Sequence, residues 1–98
     1  MKYNIDILHP VNNDIHEIYE YLFDLGDNSS KKFRESFEKF IEQVSNMPYM
    51  FSKYEHNPNY RKTAIEFGYL VFYSINEKKK EVTICRVLHS KRNIKDLI

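Results

Sequence analysis

The chain has 98 residues, 42% of them hydrophobic and 30% charged, with seven Phe, eight Tyr, no Trp and a net charge of +1. That length suits one domain with an aromatic-rich core and one surface site, and excludes a separate cofactor domain. No apolar run approaches the roughly 18 residues of a spanning helix, and the segment from Met1 to His9 lacks a signal region and a cleavage site, so a cytoplasmic protein with no membrane partner is expected.

Residues 3–8, Tyr-Asn-Ile-Asp-Ile-Leu, alternate as a short strand with Ile5 and Ile7 on one face. His9-Pro10 ends it, because the residue before proline is pushed away from helical geometry. A first helix is expected over Val11–Asp24. Ile15, Ile18, Tyr19, Leu22 and Leu25 recur on its apolar side, and Asp14, Glu17, Glu20 and Asp24 occupy the other. Gly26 stops it. A second helix, capped by Asn28 or Ser29, carries Phe33, Phe37, Phe40, Ile41, Val44 and Met47 at helical spacing. Its exposed side offers a Glu35–Lys39 pair, and Pro48 ends it. The phenylalanine stripe reads as core. The short Gly26–Asn28 connection makes the two helices antiparallel neighbours.

Residues 48–59 form a linker whose Tyr49, Phe51 and Tyr54 can fold back on the core or form a stacking surface. Three strands follow: Tyr60–Phe67, Tyr69–Ile75 after a turn at Gly68, and Glu81–Leu88 after a charged hairpin loop, Asn76–Lys80. In the last strand Val82, Ile84, Arg86 and Leu88 alternate with Thr83, Cys85 and Val87. Short connections predict an antiparallel meander. The first strand must join this sheet to satisfy its backbone groups, and the helical hairpin must bury its Phe stripe on one face. The expected fold is therefore α+β: a two-helix hairpin on a small antiparallel sheet in the order β-α-α-β-β-β, with a short C-terminal tail. The other sheet face is expected to stay open to a partner.

His9, His16, His56 and His89 stand at no metal-ligand spacing, and there is no Cys pair, phosphate loop or nucleophile elbow. No metal and no cofactor are expected. The lone Cys85 reads as a small buried hydrophobe. Charge divides unevenly: residues 1–50 hold five Lys/Arg against nine Asp/Glu (−4), and residues 51–98 hold ten against five (+5). Such a split points to a binding face in the second half. Its polar candidates are Lys53, Arg61, Lys62, Arg86, His89, Lys91 and Arg92. A metal-free ribonuclease needs an acid, a base and cations for the phosphate; His89 with Arg61 and Arg92 could supply them. Equally, Arg61 and Arg92 could pair with Glu66 or Asp96.

Tyr60-Arg61, Gly68-Tyr-Leu-Val-Phe-Tyr73, the Asn76–Lys80 hairpin and Val87-Leu-His-Ser-Lys-Arg-Asn-Ile94 together resemble the RelE/ParE superfamily of bacterial toxins. The resemblance implies the toxin of a type II toxin–antitoxin pair, neutralised by a cognate antitoxin. It adds Tyr73 to the residues expected to bind target or antitoxin. RelE-like members are ribosome-dependent messenger-RNA endonucleases, whereas ParE-like members bind DNA gyrase. RelE-like chains commonly carry Arg after the Gly-Tyr of the middle strand, where this chain has Leu70, and a catalytic Tyr near the C-terminus, where Lys95-Asp-Leu-Ile98 has none. Lys91-Arg92 matches their basic pair, but the His89-x-x-Arg92 ending is closer to ParE relatives. The resemblance therefore implies a growth-inhibiting toxin that acts by binding a target such as DNA gyrase. The alternative is a metal-independent endonuclease acting on mRNA at the ribosome through Arg61, His89 and Arg92.

Overall fold

The computed structural model describes residues 2–26 and 28–98; Met1 and Asp27, the latter inside the expected helix connection, fall outside the described residues. The chain runs β1 (Asn4–Ile7), α1 (His9–Leu25), α2 (Ser29–Asn46), β2 (Arg61–Ala64), β3 (Tyr69–Asn76) and β4 (Glu81–His89), with short 3₁₀ turns at Glu66–Gly68 and Ile94–Asp96. The element order is the expected β-α-α-β-β-β. The sheet order is β1-β4-β3-β2. The three last strands form the antiparallel meander, and β1 joins it in parallel beside β4. The sheet is thus mixed rather than wholly antiparallel. The helical hairpin brings the chain back before the meander starts, so β4 ends up running in the same sense as β1.

Helix α1 starts earlier than expected, because Pro10 sits in its first turn, where the missing N–H costs nothing. Asn28 does not cap α2 through its side chain; it adopts a left-handed conformation at φ 60°, and the Ser29 hydroxyl donates to the Gly26 carbonyl at 2.8 Å. The α2 ion pair is Arg34–Glu38 rather than Glu35–Lys39.

The main core lies between the hairpin and one sheet face. Val11, Ile18 and Leu22 from α1 and Phe33, Phe40 and Val44 from α2 meet Val71, Tyr73, Val82, Ile84 and Val87. Phe37 and Ile41 pack at its margin, while Met47 and Leu25, expected in the stripes, are exposed. Phe33 stands edge-on to Tyr69 at 5.4 Å, and Phe40 edge-on to Tyr73 at 5.6 Å. Burial of these rings and the aliphatic side chains around them stabilises the fold by about 25 cal/mol per Å² of apolar surface.

Alternation along β4 breaks once. Phe72 opposes Arg86, yet Tyr73 opposes Ile84, so Cys85 is the extra residue of a β-bulge. Val82 and Ile84 therefore share the helix face with Val87, while Leu88 joins the other face with Phe72. Burial pushes the Cys85 thiol pKa up, which keeps it protonated and unreactive.

The second face is not fully open. Tyr54 is buried there against Phe72 and Leu88, with Tyr60, Leu70, Ile94 and Ile98 around them. The linker folds back as Tyr54 N–H donates to the Tyr60 carbonyl at 2.8 Å and Lys62 N–H to the Ser52 carbonyl at 3.1 Å. Phe51 turns instead to the helix side, stacking on Phe40 at 6.1 Å.

Candidate functional site

The end of β4 is built around His89. It lies opposite Tyr69 in the β3–β4 register, with the Tyr69 ring edge-on at 5.1 Å. Gly68 turns the chain beneath it at φ +78°, and a Cβ there would stand 3.3 Å from His89 Nε2. Glycine is favoured by the left-handed backbone, and a side chain here would press on the His89 ring. Ser90 N–H donates to the Gly68 carbonyl at 2.9 Å and Arg92 N–H to the His89 carbonyl at 3.0 Å, so residues 89–92 form a tight turn anchored to the start of β3. Lys91 N–H donates to His89 Nδ1 at 3.2 Å. With Nδ1 accepting, the proton of neutral His89 belongs on Nε2.

Two clefts meet at this turn. One, of about 190 Å³, lies on the helix side, where His89, Tyr69 and Arg92 face Asp14 and Glu17 of α1. The other, of about 230 Å³, opens on the second sheet face and is lined by Tyr54, His56, Lys62, Phe72, Arg92 and Lys95, among others. Its floor is aromatic, and its rim carries three cations, Lys62, Arg92 and Lys95, against one acid, Glu55. Lys62 holds its ammonium 5.4 Å above the Tyr54 ring, a position that stabilises a partly desolvated cation. Arg92 belongs to both clefts, and Lys91 is exposed beside it.

Other expected site residues lie elsewhere. Arg61 opposes Tyr73 on β3, four residues from Tyr69 and so about 13 Å along the strand from the His89 turn. Arg61 pairs with neither Glu66 nor Asp96; its Nη1 donates to the Phe51 carbonyl at 2.6 Å and the guanidinium sits 5.1 Å over the Tyr49 ring. Lys53 forms a one-residue bridge to Arg61 and is exposed at that same end. Tyr73 is wholly buried. Its hydroxyl donates to the Pro48 carbonyl at 2.7 Å, and burial pushes the phenol pKa up to about 12. It supports the linker and offers no surface to a partner.

Arg86 is committed as well. Its Nε and Nη2 each donate to the Asp14 carboxylate at 2.9 Å, and Val87 N–H donates to Asp14 Oδ2 at 3.0 Å. Asp14, read from the sequence as solvated, is 7% exposed. The reason is an edge: β1 ends opposite Ile84, so beyond it the Asp14 carboxylate takes over as acceptor for β4. The hydrogen bonds to Asp14 hold the Arg86 guanidinium pKa above its ordinary value.

The structure thus places Lys62 with Arg92 at the second-face cleft and His89 with Arg92 at the helix-side cleft, with Lys91 exposed in the same turn, and separates them from Lys53, Arg61, Tyr73 and Arg86. The sequence reading missed His56 and Lys95 at the cleft rim; the second-half excess of positive charge was the available signal for Lys95. The arrangement can hold an anionic or acidic partner across an apolar floor. It does not aim an acid, a base and three cations at one point. Among the described residues, no group of three metal-ligating side chains occurs, and no helix is long and apolar enough to cross a membrane.

Comparison with known proteins follows the same lines. Residues 5–94 match the family model for the ParE toxin of the type II toxin–antitoxin system parDE. Solved structures with the same fold include a variant of the E. coli toxin RelE in the free state, at 18% identity and TM-score 0.71, covering 99% of this chain and 93% of that one. The intact E. coli RelBE toxin–antitoxin complex aligns at 20% identity and TM-score 0.67, over 92% of this chain and 99% of that one. The chromosomal ParDE toxin–antitoxin system of P. aeruginosa aligns at 14% identity and TM-score 0.71, over 90% and 96%. None of the curated proteins matches the sequence.

Proposed function

The chain belongs to the ParE toxin family of type II toxin–antitoxin systems, and from that premise we propose that it inhibits growth by binding an essential target such as DNA gyrase, with a cognate antitoxin to neutralise it. The carrying observation is the separation of Arg61 from His89 and Arg92. Phosphodiester cleavage needs acid, base and cation within hydrogen-bond reach of one phosphate. Arg61 is tied to Phe51 and Tyr49 at the far end of β2. At the other end, His89 Nδ1 is engaged by the Lys91 N–H at 3.2 Å. Leu70 and the tyrosine-free tail point the same way.

The binding surface in this reading is the second-face cleft, with Lys62, Arg92 and Lys95 at its rim and Tyr54 and Phe72 below; His89 lines the adjoining helix-side cleft, which shares Arg92. A cationic rim around an aromatic floor suits an acidic segment with apolar anchors, whether from target or antitoxin. That RelBE and ParDE are described as toxin–antitoxin assemblies supports an antitoxin partner here.

The test runs two assays side by side on purified toxin. Gyrase supercoiling should be inhibited, and primer extension on translating ribosomes should show intact messenger RNA. Cleavage within codons that disappears in His89→Ala or Arg92→Ala, with supercoiling untouched, would establish the endonuclease instead.

A further inference from the structure

The tip of the helical hairpin carries a feature that the toxin reading does not use. Phe23, near the end of α1, is 77% exposed, the most exposed of the large hydrophobic side chains among the described residues. A groove runs on each side of it. One, of about 260 Å³, is lined by Tyr19, Phe23, Ser30, Lys31 and Arg34. The other, of about 520 Å³, is lined by His16, Tyr19, Glu20, Phe23 and Asp24. Phe23 and Tyr19 therefore form an aromatic ridge with a basic flank on α2 and an acidic flank on α1. An exposed aromatic ring with a groove on each side offers an anchor that a partner can bury.

The geometry points to a second copy of this chain as the occupant. A nucleic acid or an anionic membrane would meet the Glu20/Asp24 flank and be repelled, and a basic partner would meet Lys31 and Arg34. The partner must carry both signs in the same spacing, and this chain does. A two-fold axis along the ridge places the Lys31/Arg34 flank of one copy against the Glu20/Asp24 flank of the other, twice, with the two Phe23 rings meeting at the axis. That is the self-complementarity an isologous contact requires. Two local ion pairs compete with it, His16–Glu20 at 2.7 Å and Arg34–Glu38 at 3.6 Å, but all four side chains are more than half exposed and free to re-aim. With one aromatic anchor per copy the dimer is weak and salt-sensitive, in the class of transient interfaces below about 1,200 Å².

Sedimentation equilibrium on the full chain, without antitoxin, tests the assignment. Wild type should self-associate reversibly, and less at high salt. Phe23→Ser should weaken association about tenfold or more, without loss of fold, because the ring is not in the core. Two charge variants make the test specific. Lys31→Glu with Arg34→Glu gives two acidic flanks, and Glu20→Lys with Asp24→Lys gives two basic ones. Each should be monomeric alone, and an equimolar mixture should form a heterodimer. A wild type that stays monomeric up to its solubility limit, a dimer indifferent to Phe23→Ser, or a mixture that stays monomeric would each overturn the proposal. So would a monomeric toxin in which Phe23→Ser weakens only antitoxin binding.

Discussion

The two faces of the sheet are built to different standards. On the helix face, two aromatic-striped helices close over Val71, Tyr73, Val82 and Ile84, and these residues are fully buried. On the other face, a linker and a tail cover only Tyr54, Phe72 and Leu88, and the cations Lys62 and Arg92 stand at the rim. The difference shows where stability resides and, on the proposed reading, where a partner is bound. The closed face carries the burial that holds the fold. The thin face leaves an apolar floor and a basic rim that can change without unfolding the chain.

The largest effect should come from the closed face. Phe40→Ala should cost about 3–5 kcal/mol, the usual loss for a buried Phe. Phe37→Ala, on the same helix but half-exposed, should cost about 1–2 kcal/mol. Urea midpoints of the two variants measure the contrast, and equal losses would mean that the stripe is not graded as described.

Next comes the clasp between the helices and the end of β4. Asp14→Ala strands the Arg86 guanidinium and the Val87 N–H together, and should cost about 2–3 kcal/mol. Amide exchange should accelerate at Val87 and Leu88 and stay slow at Ile84, which β1 still covers. Uniform acceleration along β4 would contradict this local role.

A smaller effect is set by pH. Glu77 accepts hydrogen bonds from Lys80, Tyr49 and Tyr3, in that order of influence, and its carboxyl is held at about 2 rather than 4.5. The folded value lies below the unfolded one, so its contribution is complete above about pH 4.5 and fades as pH falls toward 2. The group is exposed, so the contribution is modest. Glu77→Gln should flatten the acid limb of the stability curve between those values, losing the same modest amount of stability at neutral pH and matching wild type near pH 2. An unchanged acid limb would show that the cluster does not hold in solution.

Most of the fold was legible because its signals are periodic. The Phe33–Val44 spacing has only one helical reading, and the apolar runs after Gly68 have only one strand reading. The rest escaped for identifiable reasons. Asp14 sits in an acidic series with Glu17, Glu20 and Asp24, which reads as solvated, and its partner Arg86 is 72 residues away. The bulge at Cys85 adds one residue to a period-two pattern, which sequence alone cannot register. The parallel seat of β1 depends on which sheet edge the hairpin leaves free. The site was half legible: strand ends flagged His89, Lys91 and Arg92, but charge alone could not separate Lys62, at the cleft, from Arg61, its neighbour on the opposite side of the strand and held by Phe51.

The comparison between the faces is tested most directly by one double variant, Lys62→Ala with Arg92→Ala. Its urea midpoint should lie within about 0.5 kcal/mol of wild type in stability, because both side chains sit on the thin face. Induced in growing cells without antitoxin, it should have lost growth inhibition. A folded double variant that still arrests growth as wild type does would contradict the account, and would move the functional surface away from the second face of the sheet.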